Sequence, residues 1–168
     1  WNKIIDIHPK LKDKVCIIRT NAFQDNDYEE FYFLNLKICS FKYCKPHGHL
    51  IWKTVKIFEM FADKFDYIVR GNCNIALNYD KMLQAIENAK IPRYKVYTSP
   101  FFDGDSYAFG YFNLVSSDVA KHMVEMGKIH QKWWSEPYAD DAAIQEAALN
   151  LGCTPFSWDH KWKSGGLP

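Results

Sequence analysis

The sequence predicts an α/β fold, in one domain whose mostly parallel mixed central sheet is flanked by helices. Two observations lead to this prediction. Short apolar runs of strand length alternate along the chain with stretches whose apolar residues recur at helical spacing. The 168 residues, 48% of them hydrophobic, are enough for one full core, and the sequence contains no linker, repeat or low-complexity tract.

The predicted elements follow one another in order. Strands are expected where apolar or aromatic residues run between turn signals, at 15–18, 31–41, 67–69, 95–97, 107–115 and 156–158. Helices are expected at 50–65, 79–89, 118–126 and 140–151. Ser117 and Gly127 are expected to cap and to end the third helix. The remaining segments are an irregular lead-in at 1–14, a loop at 128–138 and a flexible tail at 161–168.

Charge and hydropathy exclude two classes of partner. The 21 basic and 20 acidic residues nearly cancel, and an obligate nucleic-acid partner would need a basic surface. No run approaches the ~20 apolar residues of a membrane helix, so no membrane segment is expected in this chain. The aromatic content of 17% fits a protein that binds sugars or flat ligands, although large aromatic residues more often belong to the core.

The stretch that organises the chain is the strand at 67–69 and the residues after it. The strand is apolar and is expected to be buried on both faces. It is followed directly by Arg70 and Gly71, and then by Asn72 and Asn74. Because ligands of open α/β sheets bind beyond the carboxyl ends of the strands, these polar residues are candidates for a binding site.

Asp140 and Asp141 form the second candidate group, at the start of the last predicted helix. A carboxylate in that position caps free N–H groups and is stabilised by the helix dipole, which is an ordinary structural role. Alternatively, one carboxylate caps while the other accepts a proton from a substrate hydroxyl as a general base. The sequence leaves both alternatives open.

Three further groups contain residue types that bind metals. Asp103 and Asp105, separated by a glycine, could hold a divalent cation or could belong to a solvated turn. His160 could be a metal ligand or a phosphate contact, although a surface histidine is the commoner case. A zinc site is a weak alternative, since its spacing does not match the usual patterns. Its ligands would be Cys39, Cys44, His47 and His49.

Four motifs follow one another in a recognisable order. They are the pair Lys53-Thr54, the strand and polar turn at 66–78, the glycine-bearing strand and helix start at 109–119, and the acidic helix start at 140–144. Together they resemble the sugar-nucleotide-dependent glycosyltransferases of the GT-A type. The likeness is to the β-1,3-galactosyltransferase and Fringe-like branch with its bacterial and viral relatives, and it covers about residues 50–160.

The resemblance implies a single Rossmann-like GT-A sandwich over 1–168, which transfers a sugar from a nucleotide-sugar donor to a glycan or glycoconjugate acceptor with inversion. It implies Asp141 as the base and Asp140 as a capping or acceptor-orienting residue. The residues implied on the donor side are Arg19, Thr20, Lys53, Arg70, Asn72, Asn74 and Lys161. The residues expected on the acceptor side are Gly110, Trp133 and Trp134.

The chain departs from this family where aspartates are expected, because Asn72 and Asn74 stand there. A neutral amide holds a divalent cation less firmly than a carboxylate does. Mn²⁺ or Mg²⁺ would therefore need Asn74 with help from His160 or Asp105. The alternatives are transfer without a metal, and a domain that binds nucleotide sugar or glycan without turnover.

The five cysteines, an odd number, fit reduced thiols in the cytosol of a cell or of a virus-infected host. The sequence begins with Trp1 rather than Met, so a Golgi-lumenal fragment whose N-terminus was removed remains an alternative.

Overall fold

A computed structural model describes residues 14–21, 23–33, 36–42, 49–71, 79–88, 91–99, 102–103, 107–108, 112–130, 132–135, 139–154 and 156–157. The strands within these ranges are β1 (Cys16–Asn21), β2 (Tyr28–Phe33), β3 (Leu36–Lys42), β4 (Tyr67–Gly71), β5 (Tyr97–Ser99), β6 (Phe102–Asp103), β7 (Tyr107–Ala108), β8 (Phe112–Ser116) and β9 (Phe156–Ser157). The helices are α1 (His49–Phe61), α2 (Tyr79–Asn88), α3 (Ser117–Ile129), α4 (Lys132–Ser135) and α5 (Asp140–Asn150). The mixed α/β class is as the sequence predicts.

The described strands form three sheets instead of one central sheet. One has the order β1-β3-β2, one the order β4-β8-β5-β9, and the third is the hairpin β6-β7. Only β1–β3 and β5–β9 are parallel among the described pairs. The pairs β2–β3, β4–β8, β5–β8 and β6–β7 are antiparallel. The expectation of mostly parallel pairing is therefore wrong for the described strands.

Part of this difference comes from the aromatic run that the sequence analysis treats as one strand at 31–41. The run is divided between β2 and β3, which pair antiparallel with Tyr28 opposite Phe41 and Phe33 opposite Leu36. In the sequence, Asn35 is the single turn-forming residue between Phe33 and Leu36, and without a glycine or proline beside it this signal is too weak to divide the run into two strands.

The core lies between the helices and one face of the four-stranded sheet. The predicted stripe on α1 is confirmed, since Ile51, Val55 and Phe58 are buried there. α3 contributes the fully buried Met123 to the same cluster. α5 contributes Ile144 and three alanines, whose small side chains let this helix pack closely against its neighbours. The sheet side of the cluster is provided by Ile68, Tyr97 and Val115.

Three further expectations, one about burial and two about helix ends, are wrong. β4 is not buried on both faces, because Val69 is 37% exposed while Ile68 is 8% exposed. α3 does not stop at Gly127 but continues to Ile129. Ser116, not Ser117, occupies its N-cap position, and the hydroxyl of Ser117 donates to the carbonyl of Ala62 instead.

Gly127 is kept in the helix interior by tertiary packing. Its Cα faces α1 and the indole of Trp134, which lies in the short helix α4 where a loop is expected. The indole N–H of Trp134 donates to the Gly127 carbonyl at 2.7 Å. None of the helices in the described ranges combines the length and the hydropathy that a membrane crossing requires.

We expect Gly127→Ala to raise the free energy of unfolding by up to about 1 kcal/mol, because alanine is the better helix former. The added Cβ would lie 3.4 Å from Trp134 Cζ2 and 3.5 Å from a Val55 methyl group, which is ordinary contact. Gly152→Ala is the control and should lower it by about 1 kcal/mol, since Gly152 has a φ of 78°. Urea denaturation measures both values, and a destabilised Gly127→Ala would contradict this account of the packing.

Candidate functional site

The candidate site begins where β4 ends, on the face of the sheet that the helices cover. On this face Ile68 of β4 lies opposite Val115 of β8, and both belong to the apolar core. Two residues further along β4, Arg70 lies opposite Asn113. Because residues two apart on a strand share a face, this face changes from apolar to polar toward the end of β4.

The carboxylate of Asp140 joins this polar end of β4 to two helices. Asp140 is only 3% exposed. Its Oδ2 atom lies 2.6 Å from Nη2 of Arg70 and accepts a hydrogen bond of 2.8 Å from the hydroxyl of Thr54. Elements α1, β4 and α5 therefore meet at one oxygen atom. Asp140 is the first residue of α5, where the helix dipole favours its negative charge.

Thr54 occupies this position because it interrupts the apolar stripe of α1. It is 2% exposed and lies beside the buried Val55. A hydroxyl buried on a helix face that packs into the core needs a partner, and the Asp140 carboxylate provides one. The capping alternative for Asp140 is wrong, since Ala139 occupies the N-cap position and the Asp140 carboxylate binds Thr54 and Arg70.

Asp141 has a different environment from its neighbour. It is partly exposed, and its Oδ1 accepts a hydrogen bond of 2.8 Å from the backbone N–H of Ala142. Oδ2 makes no hydrogen bond with any residue in the described ranges. This second oxygen is therefore available to accept a proton or a hydrogen bond from a ligand.

The other donor-side candidates are placed differently. Lys53 lies next to Thr54 on α1 and its side chain is partly buried. Arg19 lies on β1, where its Nε donates to the hydroxyl of Ser40 at 3.1 Å and its guanidinium lies 4.8 Å from the ring centre of Phe31. The backbone of Thr20 follows it in β1. These contacts hold Arg19 within the three-stranded sheet and do not join it to Arg70 or Asp140.

The two tryptophans lie in or near the core. Trp133 is 0% exposed, donates to Oε2 of Glu146 at 3.0 Å and stacks on His130. It therefore has no exposed surface with which to contact an acceptor in this structure. Trp134 is partly exposed, but its indole packs on Gly127. The expectation that Trp133 lies on the acceptor side therefore does not agree with its burial in the core.

Several predicted residues lie outside the described ranges. They are Asn72, Asn74, Asp105, Gly110, His160 and Lys161, together with the zinc candidates Cys44 and His47. Within the described ranges no three histidine, cysteine or acidic residues lie close enough to hold a metal ion. A shallow surface depression of about 340 Å³ lies on the outward face of α5, opposite to Asp140. It is lined by Ala142, Gln145, Glu146, Leu149 and Asn150.

Two residues that the structure places in the site are not among the predicted site residues. They are Thr54, whose hydroxyl donates to Asp140, and Asn113, which lies opposite Arg70. Each is a polar residue in apolar surroundings, since Thr54 interrupts the buried stripe of α1 and Asn113 lies between the fully buried Phe112 and Leu114. That interruption is the signal in the sequence that could have identified them.

Cys39, one of the zinc candidates, is fully buried in β3 and interacts with the thiol of Cys16 in β1. The hydrogen bond from Cys16 lowers the pKa of Cys39 to about 6, against the opposing effect of burial. The same contact and burial raise the pKa of Cys16. Tyr28 has a single hydroxyl proton, which it donates to Glu30, so Cys16 is the main donor to Cys39.

Neither a protein-family model nor a curated protein matches this chain. The assignment of the candidate site therefore rests on the geometry of this chain.

We expect Asp140→Ala to lower the free energy of unfolding by about 3–5 kcal/mol, because the charge of Arg70 would remain buried without its carboxylate. Asp141→Ala is the matched control and should cost less than about 1 kcal/mol, since its carboxylate is partly exposed. The double variant Arg70→Met, Asp140→Leu should recover most of the loss. Chemical denaturation measures all three, and equal losses for the two single variants would contradict the proposed pairing.

We expect the first proton of the Cys16–Cys39 pair to dissociate near pH 6, with an inflection in the ultraviolet absorbance of the thiolate. Folding then releases a proton above this pH, so the free energy of unfolding should rise as the pH increases from about 6 toward the ordinary thiol value of 9.0. This contribution is lost as the pH falls through about 6. Cys16→Ala should move the inflection upward and Cys153→Ala should leave it in place. An inflection that survives Cys16→Ala would show that Cys16 is not the donor.

Proposed function

We propose that this chain is a glycosyltransferase that moves a sugar from a nucleotide-sugar donor to an acceptor hydroxyl, on a Rossmann-like GT-A sandwich. One observation carries the proposal: all four motifs of the resemblance converge on one place. Thr54 and Arg70 both contact Asp140, and Asn113 lies opposite Arg70. Thr54 and Asp140 are 86 residues apart in the chain, so local sequence does not account for their contact.

The two acidic residues have separate roles in this proposal. Asp140 is buried and paired with Arg70, so it positions neighbouring groups and is poorly placed to exchange a proton with an acceptor. Asp141 is partly exposed and has an oxygen that forms no hydrogen bond within the described ranges. Its location in the first turn of α5, directly after a fixed residue, holds the carboxylate at a defined position.

In the reaction, Asp141 accepts the proton of the acceptor hydroxyl as its oxygen attacks the anomeric carbon of the donor. The bond from that carbon to the nucleotide diphosphate breaks on the opposite side, which gives inversion. Lys53 is a nearby cation for the negative charge that develops on the diphosphate. We assign no step to a divalent cation, because Asn72, Asn74, Asp105 and His160 lie outside the described residues.

Binding of the donor without turnover is a second candidate function. It is favoured by Asn72 and Asn74, which replace the carboxylates expected from the resemblance. Calorimetry with a panel of sugar nucleotides, run beside an assay of nucleotide release with glycan acceptors, distinguishes the two functions. Binding with release supports the transferase, and binding without release supports the second candidate. Neither binding nor release with any donor would contradict both.

We expect Asp141→Asn to reduce kcat by at least about 100-fold while the Kd of the donor changes less than about threefold, because a general base acts only on the reacting proton. Asp63→Asn is the control, since Asp63 is an exposed partner of Lys121 and should change neither value. Steady-state kinetics and calorimetry provide the two measurements. Equal losses of turnover and donor affinity would remove the role of base from Asp141.

A further inference from the structure

Within the part of the chain that the structure describes, three buried polar atoms at the end of β4 and on the neighbouring β8 make no hydrogen bond. They are Nη1 of Arg70 and both amide atoms, Nδ2 and Oδ1, of Asn113. Asn113 is 0% exposed, so a ligand reaches its amide only when the residues that cover it move. A buried polar atom without a partner costs folding free energy, and native proteins rarely leave a whole amide in this condition.

These atoms are close neighbours. Arg70 and Asn113 are directly opposite in the antiparallel pair β4–β8. Opposite residues of such a pair have Cβ atoms about 4.5–5.5 Å apart and point to the same face of the sheet. Two donors and one acceptor are therefore grouped at the end of β4, on the face where Asp140 lies.

The charge of this group disfavours an anion as the ligand. The guanidinium of Arg70 is matched by the Asp140 carboxylate at 2.6 Å, and Asp141 follows in the chain. These three side chains carry no net positive charge to attract a diphosphate, whose negative charge Lys53 meets in the proposed reaction. A hydroxyl group both donates and accepts a hydrogen bond, so it matches an amide and the second guanidinium nitrogen.

We propose that Asn113 and Nη1 of Arg70 bind the hydroxyl groups of the donor's sugar. The position of Arg70 beside the polar turn suggests a contact with the diphosphate, but in this proposal Arg70 binds the sugar instead. The choice of ligand rests on the proposed function. Asn113 then determines which sugar is accepted, because a site built to bond a hydroxyl rejects a sugar that lacks it or places it elsewhere.

The test compares the wild-type chain with Asn113→Leu, which has a similar volume and removes both amide atoms. Calorimetry is run with UDP and GDP and with glucose, galactose and N-acetylglucosamine derivatives of each. We expect Asn113→Leu to lower the affinity for the preferred nucleotide sugar by about 10-fold or more. The affinity for the corresponding nucleoside diphosphate should change by less than about twofold. Its stability should equal or exceed that of the wild type, since an apolar side chain removes a buried amide without partners.

A second measurement does not require the variant to fold. The side-chain amide signal of Asn113 in the ¹⁵N-labelled wild-type chain is followed by NMR while free glucose or galactose is added. A shift that saturates supports the proposal. If the signal does not move and Asn113→Leu binds the nucleotide sugar with unchanged affinity, only ordered water contacts these polar atoms, and the proposal is overturned.

The outcomes separate this inference from the proposed function. If the wild type binds a nucleotide sugar and Asn113→Leu binds it equally well, the inference fails and the function stands. If no nucleotide sugar binds but free hexose shifts the Asn113 signal, the function fails and the sugar site stands. If neither ligand has an effect, both are overturned.

Discussion

The buried ion pair between Arg70 and Asp140 is the interaction on which the rest of the site depends. It fixes the start of α5 against the end of β4, and the hydroxyl of Thr54 adds α1 to the same oxygen atom. Burying two charges costs free energy of solvation, which their attraction offsets only if the geometry is good. An apolar group would fill this space more simply, so the retention of charge here is better explained by positioning than by stability.

The same pair explains why two adjacent carboxylates have different properties. Asp140 is held by two side chains and is nearly inaccessible, whereas Asp141 bonds only the N–H of Ala142 within the described ranges. Because Asp140 cannot move without leaving a buried guanidinium unpaired, the backbone at the start of α5 is fixed, and the position of Asp141 is fixed with it. The orientation of the exposed carboxylate is thus set from the core.

The predictions that depend on local periodicity are the ones that the structure confirms, whereas the helix-end signals at Ser117 and Gly127 fail. The stripe of Ile51, Val55 and Phe58 specifies α1, and the acidic pair marks the start of α5 correctly. Pairing direction is not predictable in this way, because it depends on which strands meet and not on the pattern of either. The same holds for Gly127, whose place inside α3 is set by Trp134 and Val55 from other elements. For the site, the order of the four motifs in the sequence identifies the candidate residues. The burial of Asn113 and of Trp133 is set by tertiary packing, so the sequence does not predict it.

The long separation between Thr54 and Asp140 has a consequence for how the protein is made. On the ribosome, α1 and β4 emerge well before the residue that joins them. Until α5 has left the exit tunnel, the guanidinium of Arg70 has no carboxylate to meet, and its end of the sheet stays open to other molecules. The candidate site would then mature only after α5 has emerged, and a slowed ribosome downstream of β8 would prolong the time for which this end of the sheet is open.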